Sequence, residues 1–363
     1  RYGTVTGVQT CALPIYWTVI APILAWVIYF LTPDSDSTVI LMLCGVFLML
    51  SVFSAVHHSE VIAHKIGEPF GTIVLAISIT IIEVALIISL MTAGGKETSH
   101  LARDTVFAVV MLILNGVLGL SLLVGSVKFH EQFFARTSAN SLLVSLIAIL
   151  VLTLILPNFT TSINGPVYTQ PQLIFVSIAC LTIYSTFLLV QTVRHRNYFL
   201  PNNKEEVVSV PTTKESILSF ITLLVCLGIV VLMAKKLSTP IETIIRNAGL
   251  PQSLVGVIIA AVILLPEGIA SIKAARKDDL QTSLNLSLGS ALASIGLTIP
   301  AVAVVCSIFD LDLVLGLDYK SMVLLGLSIF ITMLSLSRGK TNILYGVVLL
   351  VNLAAYIFTV IYP

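Results

Sequence analysis

Charge is what this chain has least of. Asp, Glu, Lys and Arg make up 10% of its 363 residues while 57% are hydrophobic; ordinary soluble domains carry about 25% charged and roughly 45–50% apolar residues. So little charge excludes a water-soluble fold. The net charge is +1 and no run of five Lys or Arg occurs, which argues against nucleic acid as a partner and against a polybasic lipid-binding tail. Cysteine is sparse too. Cys44, Cys180, Cys226 and Cys306 sit inside apolar stretches without CxxC or Cys/His spacing, so disulfides and zinc are not expected and these residues read as small hydrophobes. There is no GxSxG and no HExxH, and the glycine-rich pieces GVLGL and GSALASIG lack a P-loop lysine. HHSEVIAH has the wrong order for a zinc protease, and all six histidines are placed in loops or at helix ends. No cofactor is expected.

What is present are apolar blocks of about 18 to 24 residues, and about 20 residues of helix span a hydrocarbon core of roughly 30 Å. The pattern predicts an all-α integral membrane protein with eleven transmembrane helices, near 12–32, 38–56, 70–92, 104–127, 140–157, 171–193, 216–234, 252–275, 281–309, 319–337 and 341–361. Residues 1–15 lack the charged n-region and clean apolar stretch of a signal peptide and are read as non-native, resembling translated adapter sequence. Residues 16–37 then hold the first helix, 38–194 a first five-helix repeat, 195–215 a polar cytoplasmic linker and 216–363 a second five-helix repeat. Twelve Lys and Arg fall in loops after even-numbered spans and six after odd ones. This bias puts the N-terminus in the cytoplasm and the C-terminus outside. Five helices per half means that the halves insert with opposite polarity, as inverted repeats do in secondary transporters.

A carboxylate at the bilayer centre costs about 2.5–3.5 kcal/mol on insertion scales, and the sequence keeps two. Glu83 stands fourteen residues after Pro69, and Glu267 fifteen after Gln252. Both lie about 21–23 Å along their helices, and they enter from opposite faces. No span offers a central Lys or Arg to pair with them, so the partner must come from solution. Two carboxylates with hydroxyl, amide and carbonyl oxygens suit a hard cation such as calcium, which takes 6–8 oxygen ligands. Emptied of cation, a buried pair favours protonation, so the same atoms hold metal or protons in turn. The following helices supply oxygen: Asn115, Gly116 and Ser121 in the first half, Asn285, Ser287, Ser290, Ser294 and Thr298 in the second. Pro266 and Gly268, flanking Glu267, are expected to break that helix and free carbonyls. Ser78 and Thr80 are the weaker counterpart in the first half. Glu68, before Pro69, is read either as a helix cap or as a cytoplasmic ion-entry residue.

The stretches HKIGEPFGTIVLAISITIIEVALIISLM and LLPEGIASIKAARKDDLQTSLNLSLGSALASIGLTIP resemble the two alpha-repeats of the calcium/cation antiporter superfamily, and most closely its bacterial ChaA-type calcium/proton antiporters. The likeness extends over most of the chain beyond residue 16. It implies that Glu83 and Glu267 bind the ion and that Asn115, Ser290 and Ser294 line the site. The eukaryotic and vacuolar GNA-type tripeptide before each acid is replaced here by ITIIE and LLPE. The expected function is antiport in the bacterial inner membrane: cytoplasmic calcium exchanged for protons by alternating access. The rivals are sodium or potassium exchange at the same site, a channel, and an intramembrane enzyme.

Overall fold

Within a bilayer each backbone N–H and C=O must be satisfied inside the protein, and continuous helices do this residue by residue. The computed structural model describes residues 16–32, 37–67, 70–94, 98–199, 211–247, 249, 251, 253–309 and 311–362. The reading of residues 1–15 as non-native, the centre of the 195–215 linker and the Glu68 entry residue lie outside the described residues. The described chain forms eleven helices: α1 Tyr16–Leu31, α2 Thr38–Ile66, α3 Phe70–Gly94, α4 Leu101–Phe129, α5 Arg136–Phe159, α6 Gln170–Arg194, α7 Thr213–Asn247, α8 Ser253–Arg276, α9 Leu280–Phe309, α10 Tyr319–Leu336 and α11 Ile343–Ile361. Nine have the length and composition to cross a membrane; α1 and the Ala76–Thr92 stretch of α3 are apolar but shorter. The fold is an all-α membrane fold, and no named strand occurs among the described residues.

Two helices outrun their expected ends. Helix α2 runs on to Ile66 rather than stopping near 56, and α7 to Asn247 rather than 234. Hydropathy marks where a helix leaves the lipid, not where hydrogen bonding stops. In α2 nothing breaks the helix before Gly67, which ends it at φ +76°, a conformation glycine adopts without strain. His57 and His58 are therefore inside a helix, and His58 is buried with its Nδ1 3.1 Å from Ser219 Oγ of α7, which corrects their placement in loops or at helix ends. A second departure is local. Helix α4 carries a π-turn at Leu112–Val117, and α5 and α6 carry others at Val151–Ile155 and Val190–Arg194.

The loops sort by parity. After the even helices, Phe133 bridges to Lys340, Glu131 pairs with Lys340 at 2.8 Å, and Gln132 Nε2 donates to the Ala275 carbonyl at 2.9 Å. This stitches the ends of α4, α8 and α10 together. Next to the odd helices, the Ser99 carbonyl accepts from Val314 N at 3.2 Å, and Arg103 Nη1 donates to the Gly316 carbonyl at 3.0 Å. Helix α9 occupies the middle, packed against α3, α4, α5, α6 and α8. Its small residues permit this. A Cβ on Gly296 would stand 3.3 Å from Tyr184 and 3.4 Å from Ile149, so close approach is built into the sequence GSALASIG. At the periphery α1 lies on the α2–α7 pair, where Trp26 Nε1 donates to the Val225 carbonyl at 3.2 Å. Lys236 donates to the Thr32 hydroxyl at 2.8 Å, just past the end of α1.

Candidate functional site

Helix α3 brings Glu83 to the side of α9. The carboxylate is 1% exposed, and two hydroxyls hold it. Ser294 Oγ donates at 2.7 Å from either carboxylate oxygen, and Thr298 Oγ1 donates to Oε2 at 2.7 Å. Helix α3 stays continuous through Ser78 and Thr80, whose hydroxyls donate back to the Val74 and Ala76 carbonyls, each at 2.8 Å. Side chains that return their protons to the previous turn leave the ladder intact.

Helix α8 brings Glu267 to the same helix one turn earlier, where its Oε2 accepts from Ser290 Oγ. The break expected at Pro266 does not occur, for α8 is continuous from Ser253 to Arg276 with Pro266 inside. Neighbouring helices tolerate proline in a membrane span. What Pro266 does contribute is a missing N–H, so the Val262 carbonyl one turn earlier lacks its usual i+4 donor. Covalent structure alone thus removes one helical donor directly before the acid.

Ser290, Ser294 and Thr298 recur every fourth residue and therefore form one stripe along α9. Ser290 and Ser294 lie about 6 Å apart along the axis. Two acids from two helices thus dock on successive turns of a third. All three donors are neutral hydroxyls, so hydrogen bonding supports the carboxylates without cancelling their charge. Each hydroxyl oxygen also keeps lone pairs for a cation.

The other residues named from sequence go elsewhere. Asn115 is fully buried in the α4 π-turn, where its amide reaches Ser328 of α10 and Asn352 of α11 rather than either glutamate. Asn285 donates to the Phe199 carbonyl at 2.7 Å, and Ser287 to the Ser283 carbonyl at 2.8 Å. Thr298 belongs to the Glu83 shell although sequence reading had it only among the oxygen-bearing positions of α9; the i, i+4, i+8 spacing was the signal. Ser121, Ser271 and Ser283 form a hydroxyl cluster toward the even-loop end, with contacts of 3.2 Å and 2.9 Å. Among the described residues no group of three His, Cys, Asp or Glu forms a resident metal site.

Comparison with known proteins places the chain in a family. The model of the sodium/calcium exchanger protein family matches residues 36–193 and again 218–362, one match in each half of the chain. The Sinorhizobium fredii protein y4hA is 42% identical over 350 residues, covering 94% of both chains. The Escherichia coli sodium-potassium/proton antiporter ChaA is 31% identical over 353 residues, covering 94% of this chain and 95% of its own. A Bacillus subtilis calcium/proton antiporter, also named ChaA, is 27% identical over 77% of this chain and 79% of its own. The solved structure of native YfkE shares the fold, with a TM-score of 0.71 at 19% identity over 96% of this chain and 100% of that one. The structure of a proton/calcium exchanger, CAX, gives 0.68 at 16% identity over 94% and 86%. Matching across both halves, and sharing with these relatives the trade of ion transporters rather than of enzymes, the chain belongs to the sodium/calcium exchanger family, within the calcium/cation antiporter superfamily and close to its ChaA-type members.

Proposed function

We propose that the protein exchanges cytoplasmic calcium for protons by alternating access, with Glu83 and Glu267 as the two acids that hold cation and protons in turn. One observation carries the reading: both carboxylates dock on the Ser290–Ser294–Thr298 stripe of α9, on adjacent turns and supported only by neutral donors. Such a pair keeps its negative charge available, and neutralising it inside a membrane takes a cation or protons. Occupancy by one excludes the other, and coupled exchange follows. The two separate family matches, 36–193 and 218–362, support two repeats of five helices, 38–194 and 216–363, that insert with opposite polarity. The lysine and arginine count supports even loops in the cytoplasm, a cytoplasmic N-terminus and an external C-terminus. The bacterial relatives support the inner membrane as the location.

A second reading keeps the site and changes the cargo. The relative that covers 94% of this chain at 31% identity is a sodium-potassium/proton antiporter, which favours monovalent ions, whereas the calcium/proton antiporter covers 77% at 27%. Hydroxyl and carboxylate oxygens accept either class. The deciding experiment loads everted membrane vesicles with a proton gradient and adds calcium, sodium or potassium. Calcium-dependent proton release in the wild type, lost in Glu83→Gln and in Glu267→Gln at unchanged expression, is the expected result. Exchange retained in both variants overturns the site, and release by sodium or potassium without calcium assigns the second cargo.

A further inference from the structure

The π-turn of α4 lies between two neighbourhoods. On one side Val117 packs on Gly268, next in the chain to Glu267: a Cβ at that glycine would stand 3.2 Å from Val117 Cγ2. On the other side, two residues earlier in the chain, Asn115 Nδ2 donates to Ser328 Oγ at 2.9 Å. Asn352 Nδ2 donates to Asn115 Oδ1 at 2.9 Å and to Ser328 Oγ at 2.8 Å, while Ser328 gives its own proton to the Leu324 carbonyl at 2.7 Å. Asn115 also donates back to the Met111 carbonyl at 3.1 Å. Three side chains from three helices thus close a buried polar clamp around the turn.

A π-turn holds one residue more than the α-helix allows, here with Leu118 N–H bonded to the Ile113 carbonyl five residues back. Such turns are rare and are found frequently at functional sites. Relaxing this one to α register would rotate one flank of α4 against the other by about 100°. Either Val117 leaves Gly268 or Asn115 leaves Ser328.

We infer that Ser328 and Asn352 are positioning residues of the exchange cycle: they hold the α4 π-turn in the register that keeps Val117 against Gly268 beside Glu267, and turnover runs through release and re-formation of this clamp. The inference rests on the reading of Glu267 as an ion-binding acid. Neither residue hydrogen-bonds a carboxylate; both act through Asn115 and α4.

The test uses the purified full chain in proteoliposomes, with calcium as the cation and a pH-sensitive dye as the readout, rates being expressed per folded transporter. Asn352→Leu and Ser328→Ala each lower the maximal rate at least about fivefold, with half-saturating calcium within about twofold of wild type. Asn115→Ala combined with either is no slower than the slower single variant, because one clamp is broken only once. Unchanged maximal rates in both single variants, fully additive losses in the double variants, or a raised half-saturation at normal maximal rate overturn the inference. If Asn352→Leu does not fold, the Ser328→Ala and Asn115→Ala cycle decides alone. Glu267→Gln, run alongside, separates the two claims: exchange retained there overturns the ion site, and the clamp is still judged by its own rates.

Discussion

The two acid-bearing helix pairs, α3–α4 and α8–α9, are built from the same parts and use them differently. In the second pair the helix after the acid gives its hydroxyls to carboxylates, Ser290 to Glu267 and Ser294 with Thr298 to Glu83. In the first, the helix after the acid turns its buried amide away, toward Ser328 and Asn352. Of these two pairs, the helix-internal prolines sit in one, at Pro266 and Pro300, and the π-turn in the other, at Leu112–Val117. The halves therefore share a plan without sharing a conformation. One helix grips both acids while its counterpart is held off them, an asymmetry that the proposed alternating access would reverse.

Charge removal breaks this comparison hardest. Glu83→Gln and Glu267→Gln each lower exchange in everted vesicles on the order of 10- to 100-fold, as expected for loss of a charged partner worth roughly 1.5–3 kcal/mol. Activity in either variant near wild type would mean that the two acids do not act as one site. Next comes the stripe. Ser294→Ala removes the donor that reaches both Glu83 oxygens and raises the half-saturating cation concentration about tenfold, and Thr298→Val raises it about threefold. If Ser294→Ala leaves cation titrations unchanged, α9 is scaffold and not site. Pro266→Ala returns an N–H to the Val262 carbonyl. It slows exchange about threefold and raises the unfolding midpoint of the detergent-purified protein, since proline is about 3 kcal/mol less favourable than alanine within a helix. The smallest effect belongs to Ser121→Ala, within about twofold of wild type in the same assay, because its 3.2 Å contact with Ser271 is remade by Ser283 at 2.9 Å.

Helix number and the two acids were legible in sequence because both obey simple physics. A run of about 20 apolar residues spans lipid, and an unpaired carboxylate inside such a run stands out against its insertion cost. Ser290 and Ser294 were legible by family likeness, and the structure places both on the carboxylates. Asn115 shows the limit. It sits in a π-turn at Leu112–Val117 that no residue there announces, with its amide on Ser328 and Asn352. Pro266 shows a second limit: proline removes a hydrogen bond by covalent structure, yet whether the helix breaks depends on its neighbours. The lengths of α2 and α7 were hidden for another reason, since polar residues such as His58 and Lys236 end the hydropathy signal and leave the backbone helical.

Because a single helix supplies donors to both acids, α9 serves as a common rail. A slide of about 6 Å, four residues of helix, would bring Ser294 to the height now held by Ser290 and Thr298 to that of Ser294. Glu267 would then trade Ser290 for Ser294, while Glu83 would keep Thr298 and meet Val302 where its second hydroxyl had been.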